Sequence, residues 1–83
     1  VYRLNVQKLL DIARSHGDKK PYAIAKRTGL NTSSTYRILA GQAQPDLNSA
    51  LRLAQAYDLD IRTVMDLVDD EDEEPVGAIG AVA

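Results

Sequence analysis

The chain has 83 residues, with ten Lys and Arg against twelve Asp and Glu. That length supports one small domain with a marginal core, and the absence of Cys excludes both a disulfide framework and a Cys-based zinc site. No apolar run approaches the roughly 18 residues of a membrane span, and Val1-Tyr2-Arg3-Leu4-Asn5 has no signal-peptide core, so a helical, cytoplasmic protein is expected.

The first predicted helix runs from about Val6 to His16. Asn5 suits its N-cap, Val6, Leu9, Leu10 and Ala13 form its stripe, and Gly17 suits the position just past its end. A second helix starts at Pro21, where the missing N–H costs nothing, presents Ala23, Ile24 and Ala25, and stops at Gly29. Asn31 caps a third, from about Thr32 to Ala40, ended by Gly41. After the loop Gln42-Ala43-Gln44-Pro45, Asp46 caps a fourth with the stripe Leu47, Ala50, Leu51, Ala54 and Tyr57. Asp60 caps a fifth, with Ile61, Val64, Met65 and Val68 at i, i+3, i+4 and i+7. Leu59 is placed to pack on Val64 as a hydrophobic staple. No stretch alternates with period two for long enough to suggest a strand. The expected fold is all-α: a five-helix domain over 1–68, followed by an acidic tail over 69–83 expected to be disordered.

The formal charge of −2 joins two unlike parts. Residues 1–68 carry all ten bases and six acids, a net +4; residues 69–74, Asp-Asp-Glu-Asp-Glu-Glu, contribute −6. The basic excess is concentrated in residues 1–37, which hold eight bases and two acids. A pI near 5.2 therefore does not exclude a polyanionic partner. The acidic run reads as a solubilising tail or as a segment competing for the basic face. On the second reading, deleting residues 69–83 raises nonspecific affinity for a polyanion at low salt, and an unchanged affinity excludes it.

Pro21 to Gly41 has the layout of a helix-turn-helix: a short helix, a tight turn at Gly29, and a capped second helix. Small Ala25 lets the helices approach, and Leu30 seals the turn. The segment resembles the lambda repressor and Cro family, the xenobiotic-response-element type. The matching residues are Ile24-Ala25, Gly29-Leu30-Asn31, Ser34-Thr35, Arg37-Ile38 and Gly41, continuing through Pro45, Leu51, Leu53, Ala54 and Leu59-Asp60-Ile61. The resemblance covers about residues 5–68. It implies a transcriptional regulator, a repressor by expectation, that binds a palindromic operator in double-stranded DNA as a homodimer. The apolar positions of the fifth helix, Val64, Leu67 and Val68, are the expected place for dimer contacts.

At about 100° per residue, Thr32, Ser33, Tyr36 and Arg37 share an arc of roughly 140°, with Ser34, Thr35 and Ile38 opposite. Arg37 suits a bidentate contact to guanine, Thr32 and Ser33 either base type, and Tyr36 a thymine methyl or a phosphate. Read alone, this face suits plain solvation better than base contact; the resemblance favours a major groove. Phosphate-contact candidates are Lys19, Lys20 and Tyr22 at the start of the second helix, Gln42 and Gln44 in the following loop, and Arg14. Lys26 and Arg27 read as either phosphate contacts or solvated charges. Two positions depart from the family. Pro21 stands where members often carry a Gln that touches the backbone. Leu39 stands where they often carry a Glu paired with a first-helix Arg, which would free Arg14 to reach a phosphate.

Enzymatic readings are poor. The lone His16 suits a helix C-terminus better than a catalytic base, and the acidic run lacks calcium-loop spacing. Gly77-Ala78-Ile79-Gly80 is too short for a phosphate cradle, and the absence of Phe and Trp argues against a single-strand stacking platform. No cofactor, metal or small-molecule ligand is expected. The competing reading is a protein-interaction module on the same fold, antitoxin-like or coactivator-like.

Overall fold

The computed structural model describes residues 1–68; the expectations for residues 69–83 lie outside the described residues. Short polar side chains begin three of the four α-helices. α1 (Val6–Ser15) starts where Asn5 accepts from the Lys8 amide, α3 (Thr32–Leu39) where Asn31 accepts from Ser34, and α4 (Leu47–Ala56) where Asp46 accepts from Ser49. Each cap satisfies one of the amides a helix start leaves unpaired. α2 (Pro21–Thr28) instead begins on its proline, with no side-chain cap.

Past α3, Gly41 (φ 80°) lets its own amide reach the Ile38 carbonyl at 3.1 Å and the Gln42 amide reach Arg37 at 2.9 Å, the paired bonds of a Schellman end. The same pattern closes α4. The Asp58 amide donates to Gln55 and the Leu59 amide to Ala54, at 3.3 and 2.9 Å. Asp58 there adopts φ 52°, the sole non-glycine at positive φ among the described residues.

The expected fifth helix is not there. Its segment is a single 3-10 turn, Ile61–Thr63, followed by a strand, β2 (Met65–Leu67), that pairs antiparallel with β1 (Tyr2–Leu4). The register sets Tyr2 against Leu67, Arg3 against Asp66 and Leu4 against Met65. Two effects favour this outcome. Ile61, Thr63 and Val64 are β-branched and lose side-chain freedom in a helix, and a helix this short is marginal on its own. Against that weak preference stands a partner strand more than sixty residues away in sequence. Asn5 locks the junction: its amide donates to the Val64 carbonyl at 2.7 Å, and its side-chain amide donates to Asp66 at 2.9 Å. The Leu59 staple therefore has no helix to brace; Leu59 and Val64 both join the core instead.

That core gathers Leu4, Leu9, Ala13, Ile24, Ile38, Leu53, Tyr57 and Val64 from every part of the fold. α4 turns inward only part of its expected stripe: Ala50 and Ala54 are half-buried and Tyr57 is buried, with Leu53 in place of Leu47 and Leu51. Leu53 and Tyr57 are buried, while Leu47 and Leu51 are 75% and 53% exposed. Positions 50, 53, 54 and 57 also satisfy i, i+3, i+4 and i+7, so apolar spacing alone allows two faces. Tyr57, common to both sets, is held inward by its hydroxyl, which donates to Asp18 at 2.7 Å.

Asp18, in the α1–α2 loop, also accepts from the Arg27 guanidinium through Nε and Nη2. Arg27 further donates to the His16 carbonyl at 3.2 Å and lies over the Tyr57 ring, 5.5 Å from its centroid. The His16 ring meets Tyr57 edge-on, centroids 5.2 Å apart. One carboxylate thereby ties the first loop, α2 and α4 together.

Candidate nucleic-acid interface

α2 and α3 share the most extensive contact between any two elements and are joined by Gly29-Leu30-Asn31. Thr28, buried, organises the turn: its hydroxyl donates to the Ile24 carbonyl at 2.8 Å and accepts from the Leu30 amide at 3.3 Å. Gly29 sits at φ 79°, and a Cβ there would come within 2.9 Å of Nη1 of Arg52. That guanidinium reaches over from α4 and donates to the Thr28 carbonyl at 3.4 Å. The turn between α2 and α3 is thus touched from a third helix.

The two faces of α3 separate as their spacing predicts, with one correction. Thr35 and Ile38 are buried, the Thr35 hydroxyl donating to the Asn31 carbonyl at 2.9 Å. Thr32, Ser33, Tyr36 and Arg37 are exposed. Ser34, expected on the packed side, is exposed too; it sits in the first turn, beyond the stretch that Thr35 and Ile38 anchor. Ser34 and Arg37 line a crevice of about 130 Å³ with Ala43, Gln44, Asp46 and Ser49. Among the described residues, no ion pair or hydrogen bond engages the guanidinium of Arg37.

The flanking candidates divide. Lys19, Lys20 and Tyr22 are exposed around the uncapped start of α2, and the Lys26 ammonium stands 6.0 Å from the Tyr22 ring centroid. Arg27 is no solvated charge: it belongs to the Asp18 cluster. Arg14 is exposed but leans on Asp11 at 3.4 Å, so a phosphate there competes with a carboxylate. The Leu39 side chain, half-buried, packs against the core. Gln42 is exposed. Gln44 has its oxygen committed, accepting from the Leu4 amide at 2.8 Å, which leaves its amide nitrogen for an acceptor outside the fold.

Of the expected dimer positions, Val64 is excluded, being 1% exposed in the core. Leu67 and Val68 are exposed, the first at the end of a strand and the second just past it, not on a helix.

A family model described as the BetR domain matches residues 1–83. The chain belongs to the BetR domain family. No curated protein and no solved structure matches it. Among the described residues of this BetR domain, no helix is long and apolar enough to cross a membrane. None of its described His, Asp and Glu residues cluster as a metal site would require.

Electrostatics in the BetR domain reinforce its scaffold more than its exposed face. Hydrogen bonding from Arg27, aided by the Tyr57 hydroxyl, holds the Asp18 carboxyl below its ordinary value even though burial opposes this. Burial, with Asp18 beside it, pushes the Tyr57 phenol up. Asp60, bonded by the Arg62 side chain and amide, falls to about 2. Sequence reasoning missed Asp18, Thr28, Arg52 and Tyr57 as the parts that tie the first loop, α2, its turn and α4 together. Their partners lie on other elements, so no local spacing marks them.

Proposed function

We propose that this domain binds duplex DNA sequence-specifically, with α3 in the major groove, and acts as a transcriptional regulator of the repressor type. The observation that carries the reading is the exposed face of α3. It places two hydroxyls, a phenol and a guanidinium without a partner among the described residues side by side on a helix packed against α2, whose end Arg52 contacts. A solvated face needs no such packing, whereas base readout needs side chains held in fixed positions. The net +4 of residues 1–68, concentrated in the half that holds α1, α2 and α3, supports a polyanionic partner. Lys19, Lys20, Tyr22 and Gln42 are the phosphate contacts of this reading, with Arg14 and the Gln44 amide as secondary ones.

The test is selection of bound duplexes from a random pool, repeated with Arg37→Ala. Wild type enriches a motif, and the variant relaxes it at one base pair, at a cost of about 1–3 kcal/mol. No enriched motif would overturn the reading and leave the protein-interaction module as its replacement.

A further inference from the structure

We propose that Asp46 is a positioning residue for base readout: its carboxylate takes the part of the Arg37 guanidinium that a guanine leaves free, and so fixes the plane in which Arg37 reads its base. The inference rests on the DNA-binding reading and adds to it a group that lies outside α3. Past α3 the chain reverses, the Gln42 amide donating to the Arg37 carbonyl at 2.9 Å, and it returns to begin α4 at Asp46. Asp46 and Arg37 thereby line one crevice of about 130 Å³, with Ser34, Gln44 and Ser49 among its other walls.

Elimination leaves Asp46 as the acceptor for a cation in that crevice. The Gln44 oxygen is committed to the Leu4 amide at 2.8 Å, and the two serine hydroxyls are uncharged. Asp46 itself is held still, because its Oδ1 accepts from the Ser49 amide at 2.7 Å and caps α4. Among the described residues no ion pair engages this carboxylate, and none engages Arg37. Asp46 is also the sole acid from residue 19 to residue 57, against six bases. A carboxylate beside a surface that meets a polyanion weakens the encounter, and Ser or Asn would cap α4 as well without the charge. A cationic neighbour on that surface accounts for it.

The chemistry fits the pair. A guanidinium carries five N–H donors in a planar fork, and a bidentate guanine contact uses two of them. A carboxylate accepts from the others in charge-assisted bonds that hold the plane of the fork. Both side chains are exposed in the free domain, where such a pair contributes little and Arg37 stays open. A duplex seated on α3 covers the crevice and removes its water, and the same pair then strengthens. A fork held in one plane favours the base that accepts two parallel bonds from it. The gain therefore falls on guanine and not on binding in general.

The experiment uses the full 83-residue chain and the motif that wild type enriches. Arg37→Ala marks the base pair that Arg37 reads, and affinities are measured for the four duplexes that differ only there. Asp46→Asn keeps the cap and removes the charge; Asp46→Ser is a second capping replacement in case Asn perturbs folding. Both variants are expected to lose about five- to tenfold of the preference for guanine at that pair. Affinity for the other three duplexes is expected to hold or rise, because a charge that repels the backbone has gone. In the Arg37→Ala background the same substitutions should leave the residual preference unchanged. A cap alone predicts weaker binding to all four duplexes, and a repelling charge alone predicts stronger binding to all four; either pattern overturns the proposal. A base other than guanine at that pair, or an Arg37→Ala variant that relaxes no position, overturns it as well. If wild type enriches no motif, the DNA-binding reading falls and this proposal with it, whereas an enriched motif with an unmoved guanine preference removes the role of Asp46 alone.

Discussion

Replacing Tyr57 with Phe removes one oxygen and leaves the ring where it is. That oxygen donates to Asp18 at 2.7 Å, in a site where Tyr57 is 2% exposed. A hydrogen bond to a charged group contributes about 1.5–3 kcal/mol. The low end applies here, because Arg27 continues to satisfy the same carboxylate. In a domain of this size, about 1.5 kcal/mol lowers the melting temperature by about 6–12 °C. The pH dependence separates this bond from mere packing. The Asp18 carboxyl titrates below its ordinary value in the folded state. The stability it contributes is therefore complete above the unfolded value of about 3.9 and is lost as pH falls through the folded value. The phenol, shifted upward, stays protonated and donating throughout that window. Urea unfolding of both proteins from pH 7 down the acid limb should show the Tyr57→Phe penalty shrinking below about pH 4. A penalty constant over the whole range would refute the reasoning and place the loss in ring packing.

Asp58→Gly should raise stability by about 0.5–1 kcal/mol, since glycine occupies φ 52° without the strain an L side chain incurs there; thermal unfolding reads it directly. Gly29→Ala should do the reverse by about 1 kcal/mol or more, because the new Cβ meets both the positive φ and the Arg52 guanidinium. Its effect should shrink in an Arg52→Ala background, a double-mutant cycle by urea unfolding. Lys20→Ala should weaken binding to all duplex sequences alike and reduce the slope of log affinity against log salt by about one unit. Arg14→Ala should change that slope by less than Lys20→Ala does, since Asp11 already holds Arg14.

Four helices were legible because each announces itself twice, by a start signal (a polar cap, or for α2 its proline) and by an apolar stripe. Asn5, Asn31 and Asp46 do in the structure what their short polar side chains suggest. The division of α3 into Thr35 and Ile38 inside against Tyr36 and Arg37 outside follows from a period of 3.6 residues alone. Where local pattern was ambiguous, distant partners decided. Ile61 to Val68 satisfies a helical repeat, yet Tyr2 to Leu4 claims its backbone as a strand. Leu47 and Leu51 fit a stripe as well as Leu53 does, yet it is Leu53 that enters the core. In the candidate site, exposure could be foreseen for Arg37 and Lys20. The commitment of Gln44 to the Leu4 amide and of Arg27 to Asp18 could not, because each joins residues with no sequence relation.

The pairing of Val1 with Val68 also sets how the domain yields to force. Its two strands run antiparallel and present residues 1 and 68 at the same end, so a pull applied between those residues loads the backbone bonds one after another. Val1–Val68 opens first, then Arg3–Asp66, then Asn5–Val64, each carrying the tension alone when its turn comes. Such a zipper gives way at low load and releases β2 before any helix is strained. Tension across this domain would therefore be felt first at the strand pair and only later at α3.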